Sequence, residues 1–140
     1  MEAKVIWKDK VCFEANVGSG HQIIMDGSTD IGGENKGARP TELLLSGVGG
    51  CSGIDMVKIL NKMRQEITNL TIHVNGKRAE DYPRRFTNIN VHFELEGANL
   101  DPEKIKKAAQ MSMEKYCSVS LSLNADITYT CKVNGTLIST

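Results

Sequence analysis

The sequence predicts an α+β fold of order βββ-α-ββ-α-β, with antiparallel sheets around a buried central helix. Three observations predict it. Short segments alternate apolar and polar residues with the period of two that half-buried strands require. One long segment, from about Pro40 to Arg64, is apolar or small on every face between Leu43 and Ile54, as a helix enclosed by other structure would be. Strands come in runs of three, two and one, not in the βαβα alternation of a parallel sheet. The 140 residues fit one domain, 1–140, with its own core.

The first three strands are read at Ala3 to Trp7, Cys12 to Val17 and Gln22 to Met25, separated by polar or glycine-bearing turns as in consecutive hairpins. A polar, glycine-rich loop follows from Asp26 to Arg39, at a length where connections without secondary structure are uncommon and often functional. Pro40 then suits a first helical turn, where its missing N–H is no loss. Ile72 and Val74 share one face of the next strand. Ile89, Val91, Phe93 and Leu95 share one face of the strand after it, with a turn near Glu80 to Arg84 between the two. A second helix opens at Asp101-Pro102-Glu103, with an N-capping aspartate, a proline at the first position and an early acid. It runs to about Tyr116, presenting Ile105, Ala108, Ala109 and Ser112 as a narrow core face. Ser118 to Leu123 suggests a further short helix, and Ile127, Tyr129, Cys131 and Val133 mark the last strand.

Composition excludes several classes of function. Seventeen basic residues balance seventeen acidic ones, so there is no electrostatic footprint for nucleic acid or an anionic membrane. The amino-terminal stretch Met1 to Lys10 has no apolar signal-peptide core, and the longest apolar run is about a dozen residues against the roughly 20 that span a bilayer. These features predict a cytoplasmic protein with no membrane partner. Cys12, Cys51, Cys117 and Cys131 lie far apart, without the density of a disulfide framework. No metal is expected, because neither the cysteines nor His21, His73 and His92 have zinc-ligand spacing. Scattered cysteines in a reducing compartment are ordinarily small core residues, and Cys12 and Cys131 are read so.

Cys51 stands apart. It sits in the glycine-rich helix among Gly47, Gly49, Gly50 and Gly53, each less favourable than alanine in a helix by about 1 kcal/mol. Glycines kept at that cost imply that something approaches the backbone closely. Cys117 falls 66 positions later at a helix end, and two thiols on packed helices either meet or serve as two core residues. A helix apolar on every side and three short strands also offer more surface than one small sheet covers, which predicts a homodimer.

Pro40-Thr41-Glu42-Leu43-Leu44-Leu45 running to Gly49-Gly50-Cys51-Ser52, with Glu114-Lys115-Tyr116-Cys117-Ser118-Val119-Ser120 downstream, resembles the OsmC/Ohr family of osmotically inducible and organic hydroperoxide resistance proteins. The resemblance is closest to the YhfA-like branch and covers essentially the whole chain, including Phe86-Thr87-Asn88-Ile89. It implies an intertwined homodimer with two sites at the subunit interface. It also implies a thiol-dependent peroxidase acting on organic or small hydroperoxides in oxidative-stress defence, in which Cys51 is oxidised to a sulfenic acid and Cys117 closes a disulfide with it. No bound cofactor is implied; the reductant would be an external dithiol of lipoyl or thioredoxin type.

The activating groups of that family are placed differently here. An ordinary thiol of pKa about 8.5 is only a few per cent ionised at pH 7, and lowering it by two units takes about 2.7 kcal/mol. Cys51 lies too far along its helix for the dipole to supply this. In active peroxidases of the family the cation is an arginine of the amino-terminal hairpins, held by a glutamate just after the helix-opening proline. This chain has no arginine before Arg39, and its glutamate falls one position late, at Glu42, on the opposite side of an ideal helix from Cys51. Arg39, Arg84 and Arg85 are the available substitutes. Asp55, one turn beyond Cys51, either opposes ionisation of the thiol or orients such an arginine. A non-catalytic or redox-responsive dimer of the same fold, binding a small apolar ligand, is the alternative these departures favour. Histidines in strands, Tyr116 and Lys115 are read as structural or solvated.

Overall fold

The structure is a computed structural model that describes residues 1–138. The chain divides into two compact units, Met1–Leu44 and Leu45 onward, and helix α1, Pro40–Lys62, crosses the division.

The first unit carries an antiparallel meander of β1 (Ala3–Asp9), β2 (Cys12–Val17) and β3 (Gln22–Met25). The last two match the sequence-derived bounds. Every residue of β1 is exposed, Val5, Ile6 and Trp7 included. The glycine-rich loop after β3 is ordered by one carboxylate. Asp26, only 2 % exposed, accepts hydrogen bonds from the backbone N–H groups of Gly27, Glu34 and Lys36 at 2.8, 3.1 and 3.1 Å. That satisfies donors which no ladder reaches, so a loop whose regular structure is one 3-10 turn, Thr29–Ile31, keeps a defined path.

In the second unit, α1 and α2 (Pro102–Met111) share a core with one face of a four-stranded sheet of β4 (Asn69–Arg78), β5 (Phe86–Glu96), β6 (Asp126–Val133) and β7 (Thr136–Ile138), in that order. β5 is an interior strand, and Ile89, Val91, Phe93 and Leu95 are all but fully buried, as their alternation predicts. They meet Val48, Met56 and Leu60 of α1, Ile105, Ala108 and Ala109 of α2, and Cys131 and Val133 of β6 in one cluster. His73, His92 and Glu94 alternate with the core residues and occupy the opposite, polar face.

Four features differ from the sequence reading. The second sheet is mixed: β5 and β6 pair in parallel, because α2 carries the chain back across the sheet between them. β7 is an additional strand, closed onto β6 by Asn134-Gly135, both at positive φ, the Asn-Gly signal of a tight hairpin. α2 ends as an α-helix at Met111, and Ser112–Tyr116 continues as a π-helical turn, in which the Cys117 N–H donates to the Ser112 carbonyl at 2.7 Å. The segment after Cys117 contributes only a single turn, Ser120–Ser122.

The central helix is also not enclosed within one chain. α1 buries a single stripe, Val48, Ser52, Met56 and Leu60, recurring every four residues, whereas Ile54 and Val57 are 64 % and 42 % exposed. Two of its glycines face β4. A Cβ at Gly53 would lie 2.7 Å from Ile72 Cδ1, and one at Gly49 3.1 Å from Val74 Cγ2, so β4 lies against this part of the helix. α1 is longer than the apolar run read from sequence. By length and composition it would suffice to cross a membrane, a property it shares with core helices of globular domains.

Candidate active site

Three side chains that sequence reasoning singled out converge. Cys51 and Asp55 lie one turn apart on α1, and Cys117 follows the π-helical turn after α2. The Cys51 sulfur, an Asp55 carboxylate oxygen and the Cys117 sulfur all lie within 4.8 Å of one another. The two thiols are free and differ in access: Cys51 is half-buried and Cys117 is 0 % exposed.

Helix termination explains how Cys117 arrives there. The π-helical turn inserts an extra residue into the last turn of α2, and such insertions recur at functional sites. Cys117 then leaves the helix in an extended conformation, φ −71° and ψ 96°. Ser112 joins both partners of Cys51: its carbonyl accepts the Cys117 N–H, and its hydroxyl donates to Asp55 Oδ2 at 3.1 Å. Ser120 bonds back to the Cys117 carbonyl at 3.2 Å. Sequence reading placed Ser112 on the core face of its helix but missed this role. The available signal was a serine among buried alanines, which needs a partner.

Burial pushes the Cys117 thiol up; hydrogen bonds from Ser120 oppose this and the adjacent Cys51 thiol adds to it. Cys117 is therefore a protonated thiol at neutral pH. Cys131 is pushed up to about 11 by burial alone and sits in the core, as its sequence reading requires. A cavity of about 290 Å³ opens beside Asp55. Ile59, Met63 and Met111 wall it, and Lys58, Lys62 and Tyr116 edge it. Lys115 lies over the Tyr116 ring, 5.1 Å from its centroid.

The other candidates are engaged elsewhere. Arg39 and Glu42 belong to the first unit. Arg39 donates to Asn35 Oδ1 and the Gly37 carbonyl at 3.0 and 3.2 Å, and Glu42 accepts the Arg39 N–H at 2.7 Å. That is the glutamate half of a capping box at the start of α1, a role its position three residues into the helix explains. Arg85 donates to the carbonyls of Phe86 and Asn124. His21 bonds Ser19, and His73 and His92 face Glu94 at 3.6 and 3.5 Å on the polar face of the second sheet.

Comparison with known proteins places this geometry in context. The OsmC-like protein family model matches residues 33–132. A protein named YhfA from Escherichia coli strain K12 is 40 % identical over 130 residues, covering 93 % of this chain and 94 % of that one. The crystal structure of a hypothetical protein from Aquifex aeolicus VF5 superposes with a TM-score of 0.78 at 32 % identity, covering 95 % of this chain and 96 % of that one. An organic hydroperoxide resistance protein from Elizabethkingia anophelis superposes with a TM-score of 0.72 over 96 % and 97 % of the two chains; at 14 % identity this is a likeness of fold.

Proposed function

The chain belongs to the OsmC-like protein family, and from that premise we propose that it is a thiol-dependent peroxidase for organic or small hydroperoxides. The observation that carries this reading is the approach of the Cys51 and Cys117 sulfurs to within 4.8 Å. A fold shared with a protein named for organic hydroperoxide resistance agrees with it.

Cys51 is the attacking residue because it is the accessible member of the pair. Its thiolate attacks one oxygen of the hydroperoxide, the O–O bond breaks, and the alkoxide leaves as the alcohol after taking up a proton. Cys51 is then a sulfenic acid. Cys117, held beside it, attacks that sulfur, expels water and closes the disulfide. Two thiols have lost two electrons, and the peroxide has gained them. An external dithiol of lipoyl or thioredoxin type exchanges with the disulfide and returns both thiols. The cavity beside Asp55 is the space for the apolar part of the substrate, and the exposed Ile54 and Val57 of α1 support a homodimer that covers this helix. The setting is cytoplasmic oxidative-stress defence.

A second reading, a redox-responsive or ligand-binding dimer of the same fold, is favoured by one observation: an acidic side chain, Asp55, stands beside both sulfurs, and a carboxylate does not help a thiol ionise. Addition of one equivalent of cumene hydroperoxide to the reduced protein, followed by a free-thiol count, separates the two. Loss of two thiols per chain, abolished by Cys51→Ser, is expected of the peroxidase. An unchanged Cys51 rejects it.

A further inference from the structure

We propose that Cys51, Asp55 and Cys117 form a binding site for a thiophilic divalent cation, with Zn²⁺ as the defining probe, and that the bound ion excludes disulfide formation. The donor set has the right chemistry. Two thiolates and one carboxylate satisfy a borderline-soft ion, and three protein ligands leave a fourth position for water.

Its geometry is close to what such an ion requires. Tetrahedral coordination at about 2.3 Å to sulfur and about 2.1 Å to oxygen sets the ligand atoms roughly 3.5–3.8 Å apart. The three atoms here lie within 4.8 Å of one another, so a closure of no more than about 1 Å brings them to that spacing. Cys51 and Asp55 are four positions apart on α1, neighbours on one helix face. Ser112 supplies the outer support: its hydroxyl fixes the carboxylate at 3.1 Å, and its carbonyl holds the Cys117 backbone at 2.7 Å. One buried serine thus orients two of the three ligands. Half-burial of Cys51 and Asp55 keeps the fourth position open.

Binding balances without redox change. Both sulfurs bind as thiolates, any thiol proton passing to water as the hydrated ion gives up its own waters, and the Asp55 carboxylate is the third donor. Both sulfurs then donate to the metal, and neither is free to attack a peroxide. The binding itself stands apart from the peroxidase reading; only the protection of the thiols rests on it.

The test titrates the reduced full-length protein with Zn²⁺ against a chromogenic chelator, without peroxide. One ion per chain is expected, lost in Cys51→Ser and in Cys117→Ser, and weakened about tenfold or more in Asp55→Asn. Co²⁺ in place of Zn²⁺ reports the ligands directly, through a thiolate-to-cobalt charge-transfer band and tetrahedral d–d absorption. Far-ultraviolet circular dichroism checks that the variants are folded. Failure of the wild-type protein to compete with the chelator overturns the proposal. So does binding that persists in both cysteine variants, or a folded Asp55→Asn that binds as tightly as wild type. Zinc-loaded protein is then given cumene hydroperoxide. Retention of both thiols, where the zinc-free protein loses them, supports exclusion; equal loss overturns it. A protein that binds Zn²⁺ but ignores peroxide in either form supports the site and rejects the peroxidase reading instead.

Discussion

Closing a bond between Cys51 and Cys117 should raise the stability of the chain by an amount set by their separation. The two residues are 66 positions apart, so the cross-link removes a long loop from the freedom of the unfolded state. The chain-entropy relation gives about 4 kcal/mol for a loop of that length at 25 °C. Sulfurs already within 4.8 Å need little rearrangement, so strain should leave at least about half of this, roughly 2 kcal/mol. With an unfolding entropy near 2 cal/mol/K per residue, a 140-residue chain converts that range to a rise of about 7–15 °C in Tm. The assay is thermal and urea unfolding of the protein after one equivalent of cumene hydroperoxide, against the same protein kept reduced, with Cys117→Ser as control. The control should show no rise. A wild-type protein that loses two thiols to peroxide but keeps its reduced midpoint would refute the reasoning, because the lost thiols would then not be joined across this loop.

Three further outcomes follow from the packing and the hydrogen bonds. Met56→Ala empties a site that is 0 % exposed between α1 and the sheet, and urea denaturation should show a loss of about 2–5 kcal/mol. Ser112→Ala removes the donor to the Asp55 carboxylate with little change in volume. A loss of about 1–2 kcal/mol is expected, and an unchanged urea midpoint would show that the carboxylate does not depend on it. Hydrogen bonds, first among them that from the Lys36 N–H, hold the Asp26 carboxyl below its ordinary range despite its burial. A depressed carboxyl stabilises the folded loop fully above the ordinary value near 4 and loses that effect as pH falls through the lower folded value. Protection of the Glu34 and Lys36 amides, taken relative to their intrinsic exchange rates, should therefore fall below about pH 4, and Asp26→Asn should abolish that dependence.

Features that depend on a few neighbouring residues were legible in the sequence. Asp101 caps α2 by accepting the Glu103 N–H at 3.0 Å, as the Asp-Pro-Glu order requires. Alternation in β5 separates the core residues from His92 and Glu94, and Pro40 opens α1. The β7 hairpin escaped that reading: Asn134-Gly135 is a tight-turn signal, but the strand beyond it is only three residues long and has no alternation to read. Composition marked α1 as apolar all round, which is a statement about what the helix tolerates; that it buries one stripe within the chain is decided by which elements reach it.

By itself, the sequence determined the first six strands, the two helices, the cap of α2 and the presence of a cysteine in a helix rich in glycine, because periodicity, capping and propensity act within one or two turns or a few strand residues. It could name Cys51, Asp55 and Cys117 but could not bring the third to the other two. Only the tertiary structure decided that. The return of α2 across the sheet makes β5 and β6 parallel, and the π-helical turn then turns Cys117 inward, where Ser112 holds it and Asp55 in register. Contacts across 66 positions depend on the packing of whole elements, and no local pattern encodes them.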